Sequence, residues 1–562
     1  MSDSASRARH GIFILLRRLR KPLVVLIGVY AVAVLGFTLI PGVDPEGRRW
    51  TMSFLHSFYF VSFLGTTIGL GEIPFPFTDA QRLWATAAIY GTVVAWLYAI
   101  GALFSVLQDP LFRLIAAENG LQRAVRRIRQ PFYLVCGYDD AGHRVARELA
   151  EDGARLVVID IDSTRVDSVE VDELSVDVPA LCGDASDPKT LVLAGLTSGY
   201  CAGVLALTGD DFVNTKIALT ARLLNPHIPV LSAVRYHAAH ARMAAAGADH
   251  IINPYDTFAE RVALSIRTPS LHVIYESLTT QSGTAMNEPP QLPTGRWILC
   301  GSGLFTRTLH RQLVRLKIDS VVVDPDLSDD EVDAHHVKGD PTDPDVLREA
   351  GAEEASALVA GTAVDIDNLA IALAGRGMNK TLFIVARQTQ RRNGLVFRAA
   401  PVDLVMLSGY VLAGEVLRVI RAPQLAHFLR RARDEDEAWA ADLLQTKRKV
   451  IGKEVVESWS VTIHPDQART VCRALAASET VTLGQLLTRA DGSGDLLHAV
   501  PLFLQRGQER MLRPTLDMPL QLDDRILCCG RNSARAAMRH NLVGHVLPIM
   551  NYQSRVIPVL NA

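Results

Sequence analysis

Residues 132–160 read FYLVCGYDDAGHRVARELAEDGARLVVID, and residues 296–324 read RWILCGSGLFTRTLHRQLVRLKIDSVVVD. The two align without gaps at an offset of 164. Each is an apolar run, a Cys-Gly turn, a stretch of 3.6 period and a second apolar run ending in Asp. Short apolar runs bounded by glycine read as buried strands, and the 3.6 period reads as a helix. The likeness continues through Gly183-Asp184 with Gly339-Asp340, Asn214 with Asn368, Arg235 with Arg387 and Asp249 with Asp403, at offsets that shrink to about 154. Strands alternating with helices need crossover connections and so parallel sheets, which makes this a pair of α/β Rossmann-like lobes.

The first Gly-rich turn is Gly137-Tyr138-Asp139-Asp140-Ala141-Gly142. In a GxGxxG fingerprint the second glycine lets the backbone approach a pyrophosphate. Asp139 stands there instead, adding bulk and negative charge. The second copy, Gly301-Ser302-Gly303-Leu304-Phe305-Thr306, keeps the first two glycines and has Thr for the third. Asp160 and Asp324 each stand 23 residues past the first Gly, the place of a ribose-binding acid. The second lobe is therefore the better nucleotide site, and the first a degenerate, structural or cation-binding version.

The whole chain has 562 residues, enough for three or four domains, and a formal charge of −2. That balance argues against a nucleic-acid binder. With 49% apolar and 21% charged residues, neither a disordered chain nor a polytopic transporter fits. Seven cysteines without CxxC spacing read as reduced cytosolic thiols rather than a zinc site or disulfide scaffold.

Mean hydropathy is +0.16, and the excess lies in the first 115 residues. Residues 22–40 and 83–107 are uncharged runs of 19 and 25, each long enough to cross a hydrocarbon core. Arg and Lys before the first run and Arg after the second put both termini in the cytoplasm. Residues 51–65 are apolar but too short to span, which suits a re-entrant helix. It runs into Thr66-Thr67-Ile68-Gly69-Leu70-Gly71-Glu72. A filter that replaces an ion's water shell needs successive carbonyls aimed at one axis. Alternating the sign of the backbone dihedrals does this, and Gly69 and Gly71 supply that freedom. Gly91, twenty residues beyond Gly71, is a candidate gating hinge or a close-packing position. No Arg-rich helix is present to sense voltage.

Thr67-Ile68-Gly69-Leu70-Gly71-Glu72 resembles the P-loop signature of potassium channels, Thr-Val-Gly-Tyr-Gly-Asp, with Ile for Val, Leu for Tyr and Glu for Asp. Leu70 lacks the phenol that braces the filter in most of that family, so a weakly selective cation channel is an alternative reading. The paired lobes resemble RCK domains, also called TrkA-N domains, and the whole order is similar to prokaryotic two-transmembrane, ligand-gated potassium channels with tandem RCK domains.

This resemblance implies a membrane α-helical pore hairpin (two spans plus a re-entrant pore helix), then α/β Rossmann-like RCK lobes and a small α+β TrkA-C-like subdomain. The divisions are a basic N-terminal helix at 1–21, a pore domain at 22–110, a linker at 111–131, the first RCK domain at 132–285, a linker at 286–295, the second RCK N-lobe and its helices at 296–450, the TrkA-C-like part at 451–533 and a tail at 534–562. It implies a homotetramer in the cell (inner) membrane, surrounded by lipid, passing K⁺ and binding no nucleic acid. A small-molecule or ion effector would gate it, NAD(H), an adenine nucleotide or Ca²⁺. Helices at Asp256–Arg267 and Leu412–Arg421 would pair the lobes.

Acidic residues around Asp184 and Asp210 could hold a divalent cation through oxygen ligands, and His237 with His240 has a metal-ligand spacing, though a solvated helix face suits the histidines better. The main rival, a membrane-tethered NAD-dependent oxidoreductase, lacks a His or Lys acid–base pair placed by a motif.

Overall fold

The computed structural model describes residues 2–68, 71–108, 120–279, 291–328, 335–452 and 457–544, in two compact units, Met1–Arg127 and Ile128–Ala562. Gly69 and Leu70 of the expected filter, Pro110, residues 286–290 of the expected linker and residues 545–562 of the tail lie outside the described residues.

In the first unit a single helix, Ser2–Leu39, carries both the basic segment and the first span, so 1–21 is not a separate helix. Pro22 lies inside it without ending it. A two-residue hairpin, Gly42–Val43 with Arg49–Trp50, leads to the short helix Phe54–Gly65. The second long helix is Asp79–Leu107 and starts four residues before the uncharged run does. Its polar first turn is held by a capping box of Thr78 and Gln81, and buried Gln81 also donates to Ile40 O at 3.4 Å.

Phe37, Phe60, Phe63 and Phe77 close the core between these helices, with ring centroids 4.8–5.8 Å apart. Trp96 Nε1 donates to Tyr30 Oη at 2.8 Å and Trp84 Nε1 to Ala33 O at 3.0 Å, tying the long helices together. Leu19–Leu39 and Asp79–Leu107 are long and apolar enough to cross a membrane. Ile27, Leu35, Leu39, Leu83 and Leu97 stay exposed on them. A helix side that faces water is ordinarily polar, and these sides are not.

The second unit holds two six-stranded parallel sheets of the same topology. In the first the order is Ala180–Cys182, Arg155–Asp160, Phe132–Cys136, Cys201–Ala206, Val230–Ala233, His250–Ile252. In the second it is His336–Lys338, Ser320–Asp324, Trp297–Cys300, Ala357–Ala360, Phe383–Gln388, Leu404–Leu407. The order reverses direction beside the central strand of each, leaving a crevice outside the strand ends.

Each lobe lends a helix to the other. Pro254–Arg267 leaves the first lobe and packs Phe258 and Val262 against Trp297, Phe305 and Leu309 of the second. Ser408–Arg421 leaves the second and packs Leu412, Ala413 and Val416 against Val145, Ala146 and Leu149 of the first. Burying each large apolar side chain contributes roughly 1.5–3 kcal/mol, so neither lobe is complete alone. Both helices end two residues before a proline. Thr268 and Ala422 leave the helical region, with φ, ψ of −138°, 73° and −145°, 76°, because Pro269 and Pro423 disfavour that region for the residue before them. The chain then turns into Pro269–Thr279 and Pro423–Ala432. Polar contacts also cross: Tyr275 Oη donates to Glu415 at 2.5 Å, and Arg421 reaches Glu148 at 3.0 Å and Asp152 at 2.7 Å.

The third part of this unit is an antiparallel sheet ordered Glu457–Thr462, Arg525–Gly530, Ala499–Arg506, Glu509–Leu512. Helix Asn532–Val543 closes it by burying Ala534, Met538 and Leu542, one face at i, i+4 and i+8. Residues 534–543 therefore belong to this subdomain's core rather than to a separate tail.

Candidate functional site

The short helix Phe54–Gly65 starts on Ser53, whose hydroxyl accepts from His56 N. It ends in a Schellman motif: Thr67 N donates to Leu64 O and Ile68 N to Phe63 O, both at 3.1 Å. That motif needs a left-handed residue, and Thr67 takes the position with φ of 59°. A β-branched residue there is strained, and such strain concentrates at functional sites. Gly71 is also left-handed, with φ of 93°. Ile68 is 65% exposed. Glu72 is held in place: it accepts from Phe77 N at 2.8 Å and from Arg82 Nε at 2.9 Å. Sequence reading missed Arg82 because its partner is ten residues away across an irregular turn. Helix Asp79–Leu107 is unbroken through Gly91, where a Cβ would meet Val29 Cγ1 at 3.4 Å.

In the first lobe Gly137, Gly142 and Asp160 come together. Asp160 Oδ2 accepts from Tyr138 N at 2.5 Å and Oδ1 from Asp162 N at 2.8 Å. A Cβ on Gly142 would stand 1.9 Å from Gly137 O, so only glycine lets this helix approach the turn. Asp139 caps the helix itself, accepting from Ala141 N at 3.0 Å and Gly142 N at 3.3 Å. The N-terminal N–H groups that a phosphate would use are thus taken by the chain's own carboxylate.

The second lobe gathers Gly301, Ser302, Gly303 and Asp324, with Gly339 and Asp340 on the adjoining turn. Asp324 Oδ2 accepts from Ser302 N at 2.5 Å and Oδ1 from Asp326 N at 2.8 Å, leaving each oxygen a lone pair for a hydroxyl donor. Gly339 N bonds Asp324 O at 3.3 Å, and Asp340 Oδ1 accepts from Thr342 N at 2.9 Å. Helix Leu304–Arg315 begins at Gly303 with no side-chain cap, so its N-terminus is open. Thr306 replaces the third glycine because Gly361 makes room: a Cβ on Gly361 would lie 2.4 Å from Thr306 Cγ2. The first lobe has Gly142 and Leu207 at these two places, so volume has moved from one partner to the other.

Asp184 and Asp210 do not form an oxygen cage. Asp184 Oδ1 accepts from Ser186 N at 2.7 Å, and Asp210 caps helix Asp211–Leu224 through Phe212 N at 2.7 Å. No group of three His, Cys, Asp or Glu poised for a metal occurs among the described residues.

A polar chain also joins the lobes beside the first Gly-rich turn. Arg391 Nη1 lies 2.9 Å from His143 Nδ1, His143 Nε2 is 3.2 Å from Asp172 Oδ2, and Tyr138 Oη donates to the same oxygen at 2.9 Å. Arg391 can donate to Nδ1 only while the imidazole is neutral. Burial lowers the proton affinity of His143, Asp172 opposes this and Arg391 reinforces it. With the folded pKa depressed, protonation favours the unfolded chain, so stability is lost as pH falls below about 6.5 toward the folded value. The melting midpoint is expected to fall between pH 7 and 5.5, and to fall less in His143→Gln. His250, His272 and His427, also lowered by burial, will keep part of the slope. Equal slopes in both proteins would refute a role for His143.

Residues 24–109 match the family described as "Ion channel", and residues 133–254 and 297–408 match the TrkA-N domain. "Potassium channel protein 1" of Methanocaldococcus jannaschii is 24% identical over 271 residues, 48% of this chain and 77% of that protein. "Voltage-gated potassium channel Kch" of Escherichia coli is 22% identical over 32% of this chain and 42% of its own length. Among solved structures, "GsuK channel bound to NAD" aligns with 95% of this chain and 100% of its own at 16% identity and a TM-score of 0.44. "Crystal structure of the GsuK bound to ADP" aligns with 73% and 99% at 21% and 0.41.

Proposed function

Because this chain joins an ion-channel segment to two TrkA-N domains, we propose that it is a potassium channel gated by a ligand on its tandem lobes. The observation that carries the reading is the short helix Phe54–Gly65 between two membrane-length helices, ending on strained Thr67 just before the glycine-rich turn. Four copies would set the carbonyls of Thr67, Ile68, Gly69, Leu70 and Gly71 around one axis, with Glu72 at the mouth. The negative C-terminal end of the short helix would favour a cation behind them. The potassium-channel relatives support K⁺ as the ion. Arg and Lys flanking the spans support cytoplasmic termini and lobes.

Tetramer assembly has support in the lobes as well. Phe212, Leu219 and Leu223 are exposed along one helix of the first lobe, and Ile366 and Leu373 along the matching helix of the second. Apolar stripes at equivalent places in both repeats suit neighbours in a ring. The second lobe would hold the effector, with Asp324 on a ribose and the N-terminus of Leu304–Arg315 on phosphate. Each lobe is built partly from the other's helix, so a ligand that prefers one lobe arrangement shifts it. A tenfold preference is worth about 1.4 kcal/mol per site. Gly91, on the second long helix, would be the hinge that such a shift bends.

Purified protein in liposomes should release K⁺, at a rate that an adenine nucleotide changes. Absence of flux under every nucleotide and divalent condition would refute the channel reading. Reversal potentials in mixed K⁺ and Na⁺ separate a selective channel from a weakly selective one.

A further inference from the structure

The exchanged helices begin at equivalent positions of the repeat, and their second residues differ sharply. Tyr255 and Gly409 are 154 apart, the same offset as Asn214 to Asn368 and Asp249 to Asp403. Over the second lobe, the Tyr255 side chain is 7% exposed, with its ring centroid 6.3 Å from that of Phe305 in the Gly-rich turn. Its oxygen accepts from Arg387 Nη2 at 3.2 Å, and the same guanidinium stands 5.6 Å from the ring. Arg387 belongs to strand Phe383–Gln388, which lies beyond Ala357–Ala360 on the far side of the order reversal from Asp324.

A dinucleotide bound to such a crevice crosses that reversal: one ribose on the acid, the pyrophosphate on the helix N-terminus and the second nucleoside over the next two strands. In the second lobe, Tyr255 stands on that second half. In the first lobe Gly409 takes its place, and a cavity of about 50 Å³ lined by Thr208, Arg235, Tyr255 and Gly409 remains. There, however, Asp139 already holds the helix N-terminus. The two lobes are obstructed at complementary places.

We propose that Tyr255 sets the ligand class of the second lobe, admitting an adenosine carrying a short phosphate chain and excluding the second nucleoside of a dinucleotide. This rests on the reading of the second lobe as a nucleotide site. The first lobe, with its phosphate place filled, takes neither.

Calorimetric titration of the full-length protein with ADP and with NAD⁺ tests it, using wild type, Tyr255→Ala and Tyr255→Phe. Wild type should bind ADP about tenfold or more tightly than NAD⁺, since specificity here comes from a group placed against the wrong ligand. Tyr255→Ala should close most of that gap by raising NAD⁺ affinity, and Tyr255→Phe, which keeps the ring, should preserve it. Equal affinities in wild type would overturn the assignment, and that measurement needs no variant to fold. An unchanged ratio in Tyr255→Ala, or a ratio that closes as far in Tyr255→Phe, would overturn it too. Failure of ADP to bind any of the three proteins would instead overturn the nucleotide reading of the lobe, and this proposal with it.

Discussion

Liposomes carrying a Gly71→Ala chain are expected to release K⁺ at least about a hundredfold more slowly than those carrying wild type, because in the proposed tetramer the strain would be repeated in each of four copies. No atom lies within 4 Å of a Cβ placed on Gly71, so crowding within the chain cannot account for such a loss. The backbone can. Gly71 has φ of 93°, and the left-handed region costs an L-residue roughly 1–2 kcal/mol. One carbonyl turned from a shared axis removes a ligand from every ion that passes. Gly28→Ala is the matching control: that glycine also has open space around it, but it lies inside helix Ser2–Leu39 without a positive φ, so flux should be unchanged. Wild-type flux in Gly71→Ala would mean that this turn does not line the pore.

The lobes were legible because their information is local. A strand, a glycine turn, a helix and a strand ending in Asp occupy under thirty residues, and every boundary carries its own residue signal. The asymmetry of the two Gly-rich turns was legible for the same reason, since Asp139 and Gly303 sit inside the motif. What escaped was whatever joins distant residues. Thr306 reads as a broken fingerprint until Gly361, 55 residues on, is seen to give up the space. His143 and Arg391 are 248 residues apart and meet only because the helices change lobes. The periodic pattern of Pro254–Arg267 announces a buried face but not which sheet buries it. At Thr67 residue preference itself misleads, since glycine is the usual occupant of the left-handed place after a helix. Its strain is visible only in the backbone.

Gly303→Asp is expected to abolish the nucleotide response while leaving the protein as stable as before. Gly303 has φ of −69° and ψ of 175°, close to the −79° and −167° of Asp139, and no atom stands within 4 Å of a Cβ there. The new carboxylate would accept from Phe305 N and Thr306 N as Asp139 accepts from Ala141 N and Gly142 N. Replacing a capping Asp by glycine costs only a few tenths of a kcal/mol, so the reverse change should hold or slightly raise the melting midpoint. The same carboxylate would occupy the N–H groups proposed to hold phosphate and set a negative charge against it. ADP affinity should therefore fall by at least about a hundredfold, roughly 2.7 kcal/mol, and nucleotide should no longer alter K⁺ flux. A general loss of fold cannot produce that pair of results, because it would lower the midpoint. Retention of ADP binding in Gly303→Asp would place the nucleotide elsewhere, and the open helix end of the second lobe would then be a feature of packing alone.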